Sequence, residues 1–177
     1  MKRRLIPVCL MLAACGQSNM APPPEKSADA PAFSNSPSRG SARAGNWARA
    51  SAEHQGKPIV WEYREDFPTE KLQQMPQLMV VSLFYEPSRE DALPNAGQEA
   101  RFDLAEERMR ELAKGKAELV AAMSWNRQHD WYFYGTAQAS QAEFRKVFAD
   151  AERVAGTVED DATGKFYSTL LKRMTGK

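Results

Sequence analysis

The run Leu78-Met79-Val80-Val81-Ser82-Leu83-Phe84-Tyr85 constrains the fold more than any other stretch of the chain. Side chains of a strand point alternately to opposite faces. Met79, Val81, Leu83 and Tyr85 therefore share one face; Leu78, Val80 and Phe84, with Ser82, share the other. A strand that is apolar on both faces belongs inside a sheet. Glu86-Pro87 closes it, and Pro94, Asn95 and Gly97 mark residues 88–97 as a loop.

The remaining elements follow from period and punctuation. Ile59, Trp61 and Tyr63 alternate with more polar neighbours and predict a half-buried strand that ends at Phe67-Pro68. Gln98 to Lys114 has a helical stripe of Phe102, Ala105, Met109 and Leu112. Glu106, Glu107, Arg108 and Arg110 are expected in solvent, and Gly115 is a natural stop. Leu119, Ala121, Met123 and Trp125 alternate as a strand. A polar turn, Asn126 to Asp130, leads to a second strand, Trp131-Tyr132-Phe133-Tyr134, completing a hairpin. Ser140 and Glu143 fit a capping box for a helix carrying Phe144, Val147, Phe148, Ala151 and Val154, ended by Gly156. Thr157 to Asp160 reads as a short edge strand. Asp161 or Thr163 can cap a last helix with Phe166, Leu170, Leu171 and Met174 inward.

The order is β-β-α-β-β-α-β-α. From Leu78 onward it contains β-α-β-β-α-β, the split βαβ, or ferredoxin-like, arrangement. The expectation is an α+β fold: an antiparallel sheet with helices on one face, an extra N-terminal strand and a C-terminal helix. The other sheet face is then open, and Ser82, Ser124 and Asn126 suit a partly wet surface. Trp131 and Phe133 point to the helix-covered side, Tyr132 and Tyr134 to the open one, where each hydroxyl finds water or a partner. The candidate binding surface is thus Tyr132, Tyr134, Ser124 and Asn126.

The chain begins differently. Lys2, Arg3 and Arg4 precede an apolar run from Leu5 to Ala14, and small residues precede Cys15. That is the layout of a secretory signal peptide, too short to span a membrane. Leu12-Ala13-Ala14-Cys15 resembles the lipobox of bacterial lipoproteins. The resemblance implies that residues 1–14 are removed and that Cys15 is lipid-modified as the first mature residue. Several acyl chains would anchor it stably, where one alone binds marginally. In such lipoproteins an Asp after the cysteine favours inner-membrane retention; Gly16 stands there, which implies the outer membrane, facing the periplasm.

Residues 15–56 then read as lipidated cysteine plus disordered tether, rich in Pro, Ser, Ala and Gly and poor in groups that could offset ordering entropy. A coil of that length spans roughly 35 Å. Trp47 is its one large apolar side chain and is expected to dock on the domain. Residues 57–177 form the single domain, about 120 residues, within the usual range. With Cys9 in the leader and Cys15 spent on lipid, no disulfide is available, so the core alone must stabilise it.

The stretch from about Trp61 to Leu171 resembles the bacterial family called domain of unknown function 695. The resemblance rests on Asp130-Trp131-Tyr132-Phe133-Tyr134 before a helix, and on Phe166-Tyr167 and Leu170-Leu171 after an acidic turn. Members of that family are sometimes fused to a domain like the ribonuclease E regulator B family, which implies an α+β regulatory or binding module. It brings no catalytic residues to transfer.

The residues themselves point to little chemistry. The formal net charge is +1, and losing the three leader cations makes it slightly acidic, so nucleic acid is not an expected partner. The histidines are His54, in the tether, and His129, in the hairpin turn; neither has metal-ligand spacing, and no H-E-x-x-H, G-x-S-x-G, Walker A or G-x-G-x-x-G pattern occurs. His129-Asp130 has the composition of a general-base pair, but neighbouring turn residues usually face water. No catalytic residue, metal ligand or cofactor is assigned. The expected partners are the membrane, through the anchor, and an envelope protein or peptide. Two functions fit: a non-catalytic protein- or peptide-binding module, or a periplasmic hydrolase without a recognisable motif.

Overall fold

The computed structural model describes residues 33–37, 43–148 and 153–176. The leader, Cys15 and the first half of the expected tether lie outside them. Seven strands and four α-helices are described, and every strand pair is antiparallel. In chain order they are β1 (Ser34–Pro37), β2 (Trp47–His54), β3 (Lys57–Arg64), α1 (Thr69–Gln74), β4 (Gln77–Phe84), α2 (Ala96–Ala113), β5 (Ala117–Trp125), β6 (Gln128–Gly135), α3 (Gln141–Arg145), β7 (Val154–Asp160) and α4 (Lys165–Thr175). A 3-10 turn, Lys146–Phe148, follows α3. The strands lie in the order β1-β2-β3-β5-β6-β4-β7. The connection β4–α2–β5 therefore passes over β6, and β6–α3–β7 passes over β4.

The apolar run at β4 sits between β6 and β7, inside the sheet. The expectation of one open sheet face is corrected. Met79, Val81, Trp131 and Phe133 pack under α2 and α3, with Phe102, Met109 and Phe144. Leu78, Val80, Tyr132 and Tyr134 pack under α1 and α4, with Leu72, Phe166, Tyr167 and Leu170. The C-terminal helix lies on the face opposite α2, so both faces are covered. The short helix α1, absent from the sequence reading, adds Leu72 to that second layer.

The folded unit also begins earlier than Lys57. Residues 47–54 pair along the whole of β3, joined by the two-residue turn Gln55-Gly56 with φ of 53° and 71°. Ala48, Ala50 and Ala52 sit on the α4 side, where small side chains let the strand cover Trp61 and Tyr63. Alternating alanine and serine mark this strand too weakly to show in the sequence. Trp47 docks as expected, against the α2-side core.

Two local departures have plain causes. The β5–β6 turn is only Asn126-Arg127, both at positive φ (45° and 71°), the conformation a two-residue hairpin needs; Gln128, His129 and Asp130 belong to the strand. A bulge between Leu119 and Ala121 breaks the alternation, so Leu119 faces α2 while Ala121 and Met123 face α4. The helix expected from Ser140 to Val154 stops at Phe148 among the described residues; Ala151 lies outside them and Val154 opens β7. Ser140 makes no side-chain cap. Gly156 is no helix stop but a mid-strand residue where α3 comes close: a Cβ there would lie 1.5 Å from Gln141 Nε2.

Candidate functional site

Tyr132 and Tyr134 are buried, and neither is available as surface. Their hydroxyls find partners inside. Tyr134 donates to Asp161 at 2.5 Å, and Asp161 also accepts the amides of Lys165 (2.7 Å) and Phe166 (2.9 Å), tying β6 to the start of α4. Asp161 thus satisfies the first two amides of α4, as a cap would, although the N-cap position itself is Gly164, which makes no side-chain cap. Tyr132 donates to Asp130 at 3.2 Å; Gln128 Nε2 adds bonds of 2.8 and 2.9 Å, and Ser82 a further one. Burial still raises the Asp130 carboxyl above its ordinary range, and burial followed by that carboxylate raises Tyr132. Burial and the bond to Asp161 likewise raise Tyr134. These polar groups satisfy one another and belong to the core.

Ser124 and Asn126 are not neighbours of that face. Asn126 lies half-buried in the hairpin turn and accepts a hydrogen bond from Lys57 Nζ. Ser124 points to the α2 side, where its Oγ lies 2.7 Å from His129 Nδ1. The His129 ring stacks on Phe102 at 4.6 Å and meets Trp131 edge-on at 4.3 Å. Burial, with the positive charge of Arg43, pushes the imidazole down to about 3, so it is neutral at pH 7.

Ser124 and His129 line a cleft of about 170 Å³ between α2 and the β3–β5 part of the sheet. Its wall is an ion network anticipated in no part by the sequence reading. Arg43 donates Nε and Nη2 to the two oxygens of Glu106, both at 2.6 Å, and Nη1 to Glu62 at 2.6 Å. Arg49 reaches Glu62 at 3.5 Å. The Arg43 guanidinium also lies 4.5 Å above the Trp47 ring. Burial opposes its charge, but the bonds and charges of Glu106 and Glu62 outweigh that and hold it above its ordinary value. Glu106, expected in solvent, is buried. Spacing carried the signal: Glu106 stands four residues after Phe102 and three before Met109, on the inward stripe. Leu112, expected inward, is 44% exposed instead.

A second concavity runs along the outer flank of α2. Leu83, Phe84 and Tyr85 at the end of β4, Phe102 and Leu104 on α2, and Val147 and Phe148 beyond α3 enclose about 570 Å³. Leu104, Arg108 and Val147 also line the next hollow, towards Leu112, so the two form one groove. Asn95 launches α2 here: its side chain accepts from Gln98 N at 2.9 Å while its own amide donates to Gln98 Oε1 at 3.0 Å. Among the described residues no group of three or more His, Cys, Asp or Glu side chains could hold a metal, and no helix is long and apolar enough to cross a membrane.

Residues 45–171 match the family of unknown function DUF695. The chain belongs to that family. The DUF695 match takes in β2, in keeping with the earlier start of the fold, and reaches into α4. No curated protein and no solved structure matches the chain.

Proposed function

We propose that this DUF695 chain is an outer-membrane lipoprotein, anchored through Cys15 and facing the periplasm, whose domain binds a protein or peptide without catalysing a reaction. The observation that carries the binding reading is the groove along α2, where Leu104 and Leu112 are 49% and 44% exposed beside a concave apolar floor. Isolated exposed leucines mean little, but two on one helix flank over a groove mark an interaction surface. The strand order β5-β6-β4-β7, with its two crossovers, supports reading β4 to β7 with α2 and α3 as a ferredoxin-like unit. Strands β1–β3 extend that unit at the β5 edge, and α1 and α4 cover its second face.

The Ser124–His129 pair favours a second reading, a hydrolase with Ser124 as nucleophile. Two facts weigh against it. A base pushed down to about 3 is a poor proton acceptor at neutral pH, where an effective one titrates near 7. The charged groups around the pair are already bonded to each other.

Three experiments test this. Cys15→Ser should leave the precursor unprocessed and without lipid label; labelled, normally processed protein would refute the anchor. Crosslinking in intact envelopes should give a partner adduct that Leu104→Glu and Leu112→Glu abolish, and an adduct indifferent to both would move the binding site elsewhere. Ester hydrolysis by the purified protein that disappears in Ser124→Ala would replace the binding reading with the enzymatic one.

A further inference from the structure

From the outer edge of β7 we infer that the sheet continues into a second copy of this chain, strand against strand, about a two-fold axis at Thr157. Among the described residues β7 pairs with β4 alone and ends the strand order. Two main-chain bonds fix which groups its other edge offers. Phe84 donates its amide to the Arg153 carbonyl at 3.0 Å, and Asp161 donates its amide to the Pro76 carbonyl at 2.7 Å. The register between them is unbroken, and inward and outward groups alternate along an antiparallel strand. Ala155, Thr157 and Glu159 therefore turn their main-chain groups to β4; Val154, Gly156, Val158 and Asp160 turn theirs away. Arg145 Nη2 reaches the outward carbonyl of Val154 at 3.2 Å, in agreement with that parity.

Exposed edges are normally guarded by proline, lysine, a bulge or extreme shortness. β1, at the other end of the sheet, is four residues long and finishes on Pro37. β7 has seven residues with no proline, lysine or bulge, and it is uncharged from Val154 to Val158. The Val158 side chain on this edge is 47% exposed.

What selects a second copy is the strand's complementarity to itself. Paired antiparallel over its whole length, β7 sets Val154 against Asp160 of the second copy and Gly156 against Val158. Each of these pairs joins two outward-turned residues, for about eight new main-chain bonds in all. Thr157 meets its own counterpart. The acidic end, Glu159-Asp160, lies across from Ala155 and Val154 and never from another acid. Val154 packs against the core under α2 and α3, so Asp160, an even number of residues away, points to that same side. There Asp160 of one copy comes up to Arg145 of the other, which exchanges the Val154 carbonyl for a carboxylate. Both side chains are exposed, and neither has an ionic partner among the described residues. A register centred on Glu159 would instead oppose two carboxylates directly.

The test uses the full chain with one introduced cysteine, oxidised mildly beside the parent as control for Cys9 and Cys15. Facing residues that share no main-chain bond lie about 4.5 Å apart at Cα, within disulfide reach. Thr157→Cys should therefore give a reducible dimer. Ala155→Cys and Glu159→Cys, each about 13 Å from its own counterpart, should give none alone and a dimer when mixed. Val158→Pro removes an amide that β4 does not use, so it should keep the parent's melting temperature and abolish the Thr157→Cys dimer. Arg145→Glu and Asp160→Arg should each weaken self-association roughly tenfold in sedimentation velocity. Mixing those two variants should restore it, because both ion pairs then join opposite charges again. A chain that stays monomeric at about 0.5 mM, where even a small interface should register, would overturn the inference. So would a Thr157→Cys dimer that survives Val158→Pro or is matched by Ala155→Cys alone, or a charge swap that restores nothing on mixing. In intact envelopes, a Thr157→Cys adduct with a different protein in place of the dimer would assign the edge to that protein and overturn the second copy.

Discussion

Replacing Arg43 with Met tests whether the segment before β2 is locked into the core. Arg43 and Glu106 have side chains only 5% and 4% exposed, joined by two bonds of 2.6 Å. With Arg43 gone, Glu106 keeps only Arg110, 3.8 Å away, among the described residues. Removing one partner of a buried pair costs about 3–5 kcal/mol, chiefly because the other charge stays buried. Glu62 is better placed: its side chain is 17% exposed and Arg49 stands beside it, so its share is about 0–1 kcal/mol. Met retains most of the apolar stem over Trp47, leaving about 0.5–1 kcal/mol of cation–ring attraction to lose. The expected loss is about 3.5–7 kcal/mol, a large part of the 5–15 kcal/mol typical of a domain. Urea denaturation should show a lower midpoint at an unchanged slope. The double variant Arg43→Met/Glu106→Leu should recover to within about 1 kcal/mol of the parent, because apolar replacement of a whole buried pair is close to neutral. A single variant that loses under about 1 kcal/mol, or a double variant no better than the single, would refute the burial argument.

Three further outcomes follow from the fold. Phe133→Ala and Tyr132→Ala should lose similar stability, about 3–5 kcal/mol each in urea melts, since both sheet faces are covered; a Tyr132→Ala loss below about 1 kcal/mol would mean that α4 does not seal its face. A chain starting at Phe33 should melt like the parent, whereas one starting at Lys57 loses β2 and should show no cooperative transition by circular dichroism; unchanged melting of the shorter chain would exclude β2 from the folding unit. His129 titrates near 6.5 when unfolded and at about 3 when folded, so the unfolded state binds the extra proton and stability should fall as pH drops below about 6.5. His129→Gln should flatten the pH 6.5–5 part of that profile, and a profile unchanged by the substitution would show that the ring is not held neutral.

The sheet's inner strands were legible because their apolar density leaves few options: Leu78 to Phe84 and the two faces of Trp131 to Tyr134 emerge from alternation alone, whereas the β5 bulge at Leu119/Ala121 and the tighter Asn126-Arg127 turn do not. What alternation could not say is what lies above each face. Ser82 and Ser124 suggested water, yet Ser82 serves Asp130 and Ser124 serves His129, each through a tertiary contact with no local sequence mark. The apolar character of both β4 faces already argued against an open side, and the amphipathic last helix, with Phe166, Tyr167, Leu170 and Met174 buried, supplied the missing cover. β2 escaped because its inward residues are alanines, whose burial signal is weak. Arg43 escaped for another reason: its partners, Glu62 and Glu106, lie far along the chain, and pairing at that distance has no period.

The position of β4 also bears on how the chain is made. Its two neighbours in the sheet, β6 and β7, are both synthesised after it. A nascent chain therefore carries Leu78 to Phe84, an uncharged and β-prone segment, with both hydrogen-bonding edges unmet until the hairpin emerges. One edge stays bare until Val154–Asp160 arrives, near the end of the chain. Such a strand is a ready template for pairing between molecules. This stretch stays open to such pairing from the time Phe84 is made until Val154–Asp160 follows, some seventy residues later, and any product cut short before Val154 would present it permanently.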